Sequence, residues 1–92
     1  MKTGIELIAI ERAEQIEKHG RTIEKDVNEN TNFELSGGAV MAINGDVNHM
    51  PRKWNRDICL RIVGKMYKER LIIAGALIAA ELDRLQAGEP KN

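Results

Sequence analysis

Residues 65 to 86 read KMYKERLIIAGALIAAELDRLQ, and the reading of this stretch decides the fold. It contains no proline, and its single glycine sits among alanines. Apolar residues recur at Leu71, Ala74/Gly75, Ile78, Leu82 and Leu85, steps of three and four that align on one helix face. Ile72, Ala76 and Ala79 widen that stripe, while Lys68, Glu69, Arg70, Asp83 and Arg84 lie outside it. The spacing predicts a long amphipathic helix over 65–87 whose stripe is buried. Ala74-Gly75-Ala76 and Ala79-Ala80 leave little side chain at mid-helix, so another helix can approach closely there. Gly88 and then Pro90 form a stop signal, a C-cap followed by a residue that cannot continue the helix.

The flanking segments supply shorter helices for this one to pack against. Residues 3–19 carry Ile5, Ile8, Ala9, Arg12, Ala13 and Ile16 on one face, with Glu6, Glu14, Glu17 and Lys18 largely opposite. Thr3 and Glu6 have capping-box spacing, and Gly20 closes the helix. A polar connector, RTIEKDVNENTN, occupies residues 21–32. Thr31 and Glu34 repeat the capping-box spacing and start a helix over 32–44. Gly37-Gly38 inside it costs roughly 1 kcal/mol per glycine against alanine, so contact with another backbone is expected there. A second connector, 46–53, precedes a short helix over 55–63, and Gly64 separates that helix from the long one. No strand alternation, internal repeat or low-complexity tract is present. The expected fold is all-α, a compact bundle of about four helices in one domain spanning 1–92.

Composition narrows the function classes. A chain of 92 residues buries only ~60–65% of the surface it exposes when unfolded, so self-association into a homo-oligomer is expected. Fourteen basic residues balance fourteen acidic ones, which argues against a general DNA or RNA binder and against a polybasic membrane-surface protein. The apolar start is broken by Glu6, Glu11 and Arg12, and no run reaches the ~18 apolar residues of a membrane span. A cytoplasmic protein is expected. Cys59, the one cysteine, lies in an apolar run and reads as a small buried hydrophobe.

The residues that carry chemistry fall into three groups. Arg52-Lys53-Trp54-Asn55-Arg56 joins cations that attract phosphate to an indole on which a base can stack, although a core tryptophan with solvated neighbours has the same pattern. Arg21, Thr22, Asp26 and Asn28 offer hydroxyl, amide and charged partners for phosphate, ribose or base edges. Arg12 falls on the apolar face of its helix and needs a carboxylate, with Glu34 and Glu81 as candidates, a path for its head group to water, or an anionic ligand. Glu11 and Glu14, three apart on one helix, would hold Mg2+ if a facing helix completed the set. Glu34 is the one candidate there, because Gly37 stands where an E-x-x-D motif needs its aspartate. His19 and His49 have no metal-ligand spacing with each other or with Cys59.

Together, Glu11-Arg12, Gln15-Ile16, Gly20, Thr22, Glu24, Asp26, Glu34-Leu35, the Pro/Trp segment and Leu71 through Leu85 resemble a family of short phage and prophage proteins. Its members typically read E-R-x-x-Q-I-x-x-x-G-W-T-x-E-x-D, then G-E-L-x-x-A-A, a tryptophan-rich loop, and L-x-x-A-G-A-L-I-x-A-E-I-x-R-L. The best-matched portion is RLIIAGALIAAELDRL, residues 70–85. Arg21 replaces the family's tryptophan, Phe33 replaces the glycine before Glu34-Leu35, and Lys25, Val27 and Asn30 replace its histidine and aspartate residues. The first helix and Asp26 are also loosely similar to the ryanodine-receptor-type repeat domain. The resemblance implies a helical protein acting in the cytoplasm of an infected bacterium, where small phage proteins often bind a host protein or sequester a nucleotide signal of defence.

Three functions are expected from this. The first is a non-enzymatic, homo-oligomeric nucleotide-binding module sequestering a cyclic or NAD-derived signal, without cofactor, through Arg12, Arg21, Thr22, Asp26, Asn28, Lys53, Trp54 and Arg56. The second is an all-alpha nucleotide pyrophosphohydrolase with Mg2+ on Glu11, Glu14 and Glu34. The third is an adaptor that inhibits a host factor through the small-residue face of the long helix.

Overall fold

The computed structural model describes residues 1–19, 23–29 and 33–88. Among these, every regular element is helical: α1 (Gly4–His19), α2 (Ile23–Glu29), α3 (Glu34–Asn44), α4 (Arg56–Val63) and α5 (Tyr67–Ala87), with a 3-10 turn at Val47–His49. The all-α expectation holds, with five helices where the sequence indicated four. The added one, α2, lies inside the polar connector. Seven residues make a marginal helix on propensity alone, and its packing against α5 supplies what the local sequence lacks.

The local signals that start and stop the helices are read in the expected chemistry. Thr3 Oγ1 accepts from the Glu6 N–H at 3.2 Å, and Glu6 Oε1 accepts from the Thr3 N–H at 3.1 Å, a complete capping box. Gly45 ends α3 in the left-handed conformation, φ 64°, with its N–H on the Met41 carbonyl. Asn55 caps α4 by accepting from the N–H groups of Asp57 and Ile58. Gly88 closes α5 on the Arg84 and Leu85 carbonyls. The proposed Gly20, Thr31 and Pro90 signals lie outside the described residues. Phe33, just before α3, has φ 64° and an exposed ring.

Helix α5 is the hub, and α1, α2 and α3 all pack against it. Its core-facing side, however, is not the stripe that the spacing singles out. Ile73, Ala74, Ala76, Leu77 and Ala80 are buried, and they join Leu35, Ala39 and Ala42 of α3 in one cluster. Leu71, Ile78, Leu82 and Leu85 are 40%, 47%, 56% and 49% exposed. At 100° per residue, Ile73, Ala76 and Ala80 stand opposite these four. The inversion has a physical cause: residues 71–80 of α5 are apolar on every side, so period alone cannot choose a face there. Three helices converging on one side need small residues for close approach. The small-residue face invoked for an adaptor therefore packs inside the chain. The same correction applies to α1, where Ile5, Ala9, Ala13 and Ile16 are exposed while Arg12 and Gln15 are buried.

Two contacts fix the flanks of α5. On one, Ile8 of α1 lies where a Cβ on Gly75 would be, its Cδ1 only 2.5 Å from that position. On the other, Arg70 Nη1 donates to the Ala42 and Ile43 carbonyls at 3.3 Å each, satisfying the C-terminus of α3. No helix of the described residues is long and apolar enough to cross a membrane.

Candidate binding groove

An open groove of about 620 Å³ runs between α1 and α4 over the N-terminal half of α5. Each helix presents residues in i, i+3, i+4 register: Glu11, Glu14 and Gln15 from α1, Ile58, Arg61 and Ile62 from α4, and Glu69, Ile72 and Ile73 from α5. Trp54, Lys65 and Leu77 complete the lining. The result is an apolar floor of tryptophan, isoleucine and leucine with carboxylates and cations around it.

Trp54 is positioned against Gly38 of α3. Gly38 is buried, and a Cβ there would collide with Cη2 and Cζ3 of the indole. The glycine's missing side chain thus makes room for a ring, where contact with another backbone was expected. Pro51 accepts the Trp54 N–H at 3.1 Å in the preceding turn, and Asn55 starts α4 directly after. Trp54 and Ile62 both pack against the central cluster, tying the groove floor to the core.

The charged lining consists of weakly held groups. Lys65 pairs with Glu69 at 3.8 Å and Lys18 with Glu14 at 3.5 Å, both exposed i, i+4 pairs of the kind worth ~0.3–0.5 kcal/mol. Gln15 Nε2 donates to Glu11 Oε2 at 3.4 Å. Three carboxylates and two cations line the groove, a formal balance of one negative charge that disfavours a highly anionic occupant.

The expected site residues separate into three places. Trp54 lines the groove, as do Glu11 and Glu14. Lys53, Arg56 and Asn28 are exposed and are not among its lining residues, and Arg21 and Thr22 lie outside the described residues. Arg12 and Asp26 meet in the interior. The Arg12 guanidinium is 3.9 Å from Asp26 and 3.5 Å from Asp83, with Arg12 8% and Asp26 1% exposed. An internal ion pair is found, with Asp26 and Asp83 in place of Glu34 and Glu81. Glu81 instead accepts from Arg84 Nε. That bond, with further help from the charges of Glu34 and Asp26, holds Arg84 above the usual arginine range against partial desolvation.

Glu34 is buried at the start of α3 and does not join Glu11 and Glu14. Among the described residues, no three His, Cys, Asp or Glu side chains gather as a metal site. The groove residues that sequence reading passed over are Arg61, Lys65 and Glu69. Their signal was the shared register of Ile58, Arg61 and Ile62, three positions that put a cation beside two isoleucines. No protein-family model, curated protein or solved structure matches this chain.

Proposed function

We propose that the groove between α1 and α4 binds a small molecule of the nucleotide class and holds it without reaction. The observation that carries this reading is one groove in which Trp54 lies with Arg61 and Lys65. Its volume falls in the ~300–1,000 Å³ of small-molecule sites. A base would contact the indole and the isoleucines, one or two phosphates would meet Arg61 and Lys65, and ribose hydroxyls would donate to Glu11 or Glu14. The carboxylate excess favours cyclic and NAD-derived molecules over triphosphates. The resemblance to phage proteins points to the same class, with sequestration of a host signal as the biological outcome.

Trp54 is the single tryptophan, so its fluorescence reports the groove directly. Titration with cyclic mononucleotides, cyclic dinucleotides, NAD fragments and nucleoside triphosphates, read by that fluorescence and by calorimetry, is expected to give saturable binding for a member of the first three classes. Intact ligand recovered after incubation would complete the case for holding without turnover. If no member of the panel binds, the reading fails. If pyrophosphate is released in the presence of Mg2+, the enzyme reading takes its place.

A further inference from the structure

The charges around the groove are unevenly spread, and pairing within the chain satisfies most of them. Lys65 is 3.8 Å from Glu69 and Lys18 is 3.5 Å from Glu14, so two of the three lining carboxylates already have a cation. Among the described residues, Glu11 and Arg61 have no ion-pair partner. Glu11 stands on the α1 wall and Arg61 on the α4 wall, over a floor that includes Trp54. Gln15, 5% exposed, donates Nε2 to Glu11 Oε2 at 3.4 Å and holds that carboxylate at its wall.

An occupant that answers both groups has a negative end and a positive end. A phosphate supplies the first, for Arg61. The ordinary bases are neutral and leave Glu11 facing an uncharged ring. A base that is itself a cation meets Glu11 and gains from the indole as well. Building on the groove's assignment to nucleotides, we propose that it selects a mononucleotide with a cationic base, of which the N-ribosylated pyridinium of oxidised nicotinamide mononucleotide is the type. The ring lies against Trp54 beside Glu11, the ribose hydroxyls donate to Glu14, and the phosphate meets Arg61. One phosphate and one ring cation also bring little net negative charge among three carboxylates. Glu11 thus sets the choice of base, and Arg61 serves any phosphate.

Oxidised and reduced nicotinamide mononucleotide differ in ring charge and hardly in shape, so calorimetric titration of both isolates the charge. The oxidised form is expected to bind at least about tenfold tighter. Glu11→Gln keeps the size of the side chain, and with helical circular dichroism unchanged it should cut that ratio to about threefold, the part the indole retains. Arg61→Gln should weaken both forms alike and leave their ratio as it was. Equal affinity for the two forms, or a ratio that Glu11→Gln does not change, overturns the proposal. Binding of neutral-base nucleotides without binding of the oxidised form also overturns it, while leaving the groove a nucleotide site. If no nucleotide binds, both assignments fall.

Discussion

Arg12 of α1 and Asp26 of α2 face each other across the interior at 3.9 Å, and both are almost wholly out of water. The pair links α1 to a helix too short to stand alone, and Asp83 brings α5 into the same contact at 3.5 Å. A cationic side chain on the buried face of α1 thus organises three helices.

Breaking a buried pair by removing one member costs about 3–5 kcal/mol, but Asp83 stays beside Arg12 when Asp26 is removed, which reduces the loss to about 2–3 kcal/mol. Asp26→Ala is expected to lower stability by that amount in urea unfolding followed by circular dichroism. Asp83→Ala should cost much less, because Asp83 remains partly in solvent. Replacing both partners, Arg12→Met with Asp26→Leu, should recover most of the loss. Equal costs for Asp26→Ala and Asp83→Ala would contradict the interior role of Asp26.

Gly37 and Gly38 are neighbours with opposite expected responses to alanine. A Cβ at Gly37 meets only Pro51 Cγ at 3.7 Å, an ordinary contact, so Gly37→Ala should stabilise α3 by up to ~1 kcal/mol. At Gly38 the added methyl strikes the Trp54 ring, and displacing it should cost about 1–3 kcal/mol beyond the propensity gain. Thermal unfolding of the two variants separates them, and Trp54 emission should shift in Gly38→Ala alone.

Phe33 has φ 64° and an exposed ring, so its side chain gains little burial while its backbone stays in a region costly for L residues. Glycine adopts that region freely, and relief of ~1–2 kcal/mol outweighs the ~0.5–1 kcal/mol of its added unfolded-state entropy. Phe33→Gly is expected to raise the melting temperature, with a net gain of about 0.5–1 kcal/mol. A fall in melting temperature would show that the ring has a packing role.

Arg61 is exposed on α4 and lines the groove. Arg61→Glu should leave urea unfolding within ~0.5 kcal/mol of the native chain, as surface changes usually do. It should also abolish nucleotide-induced change in Trp54 fluorescence, because a fourth carboxylate would then face the phosphate. Lys53→Glu and Arg56→Glu lie off the groove lining and should change that signal little. Loss of binding in those two variants with Arg61→Glu unaffected would move the site to the loop.

Much of the fold was legible in the sequence because its signals are local. Thr3 with Glu6, Asn44-Gly45, Gly64 and Gly88 act through hydrogen bonds within a few residues, and each marks a helix end where the structure has one. The expectation that Arg12 is paired inside the protein was also readable, since a charge on an apolar face must be compensated. Helix α2 was not readable, because its polar residues carry no apolar period and its stability comes from α5.

What the sequence by itself determined is the helical class, the helix boundaries over most of the chain, and the dominance of residues 65–87. Tertiary structure alone decided which side of that helix is the core. Apolar side chains surround α5 over residues 71–80, and only the convergence of α1, α2 and α3 selects the alanine-rich side for close packing. The same convergence chose Asp26 and Asp83 for Arg12, and it brought Arg61 and Lys65, rather than Lys53 and Arg56, into the groove with Trp54. Partners distant in sequence are chosen by the geometry of packed helices, and that geometry has no local code.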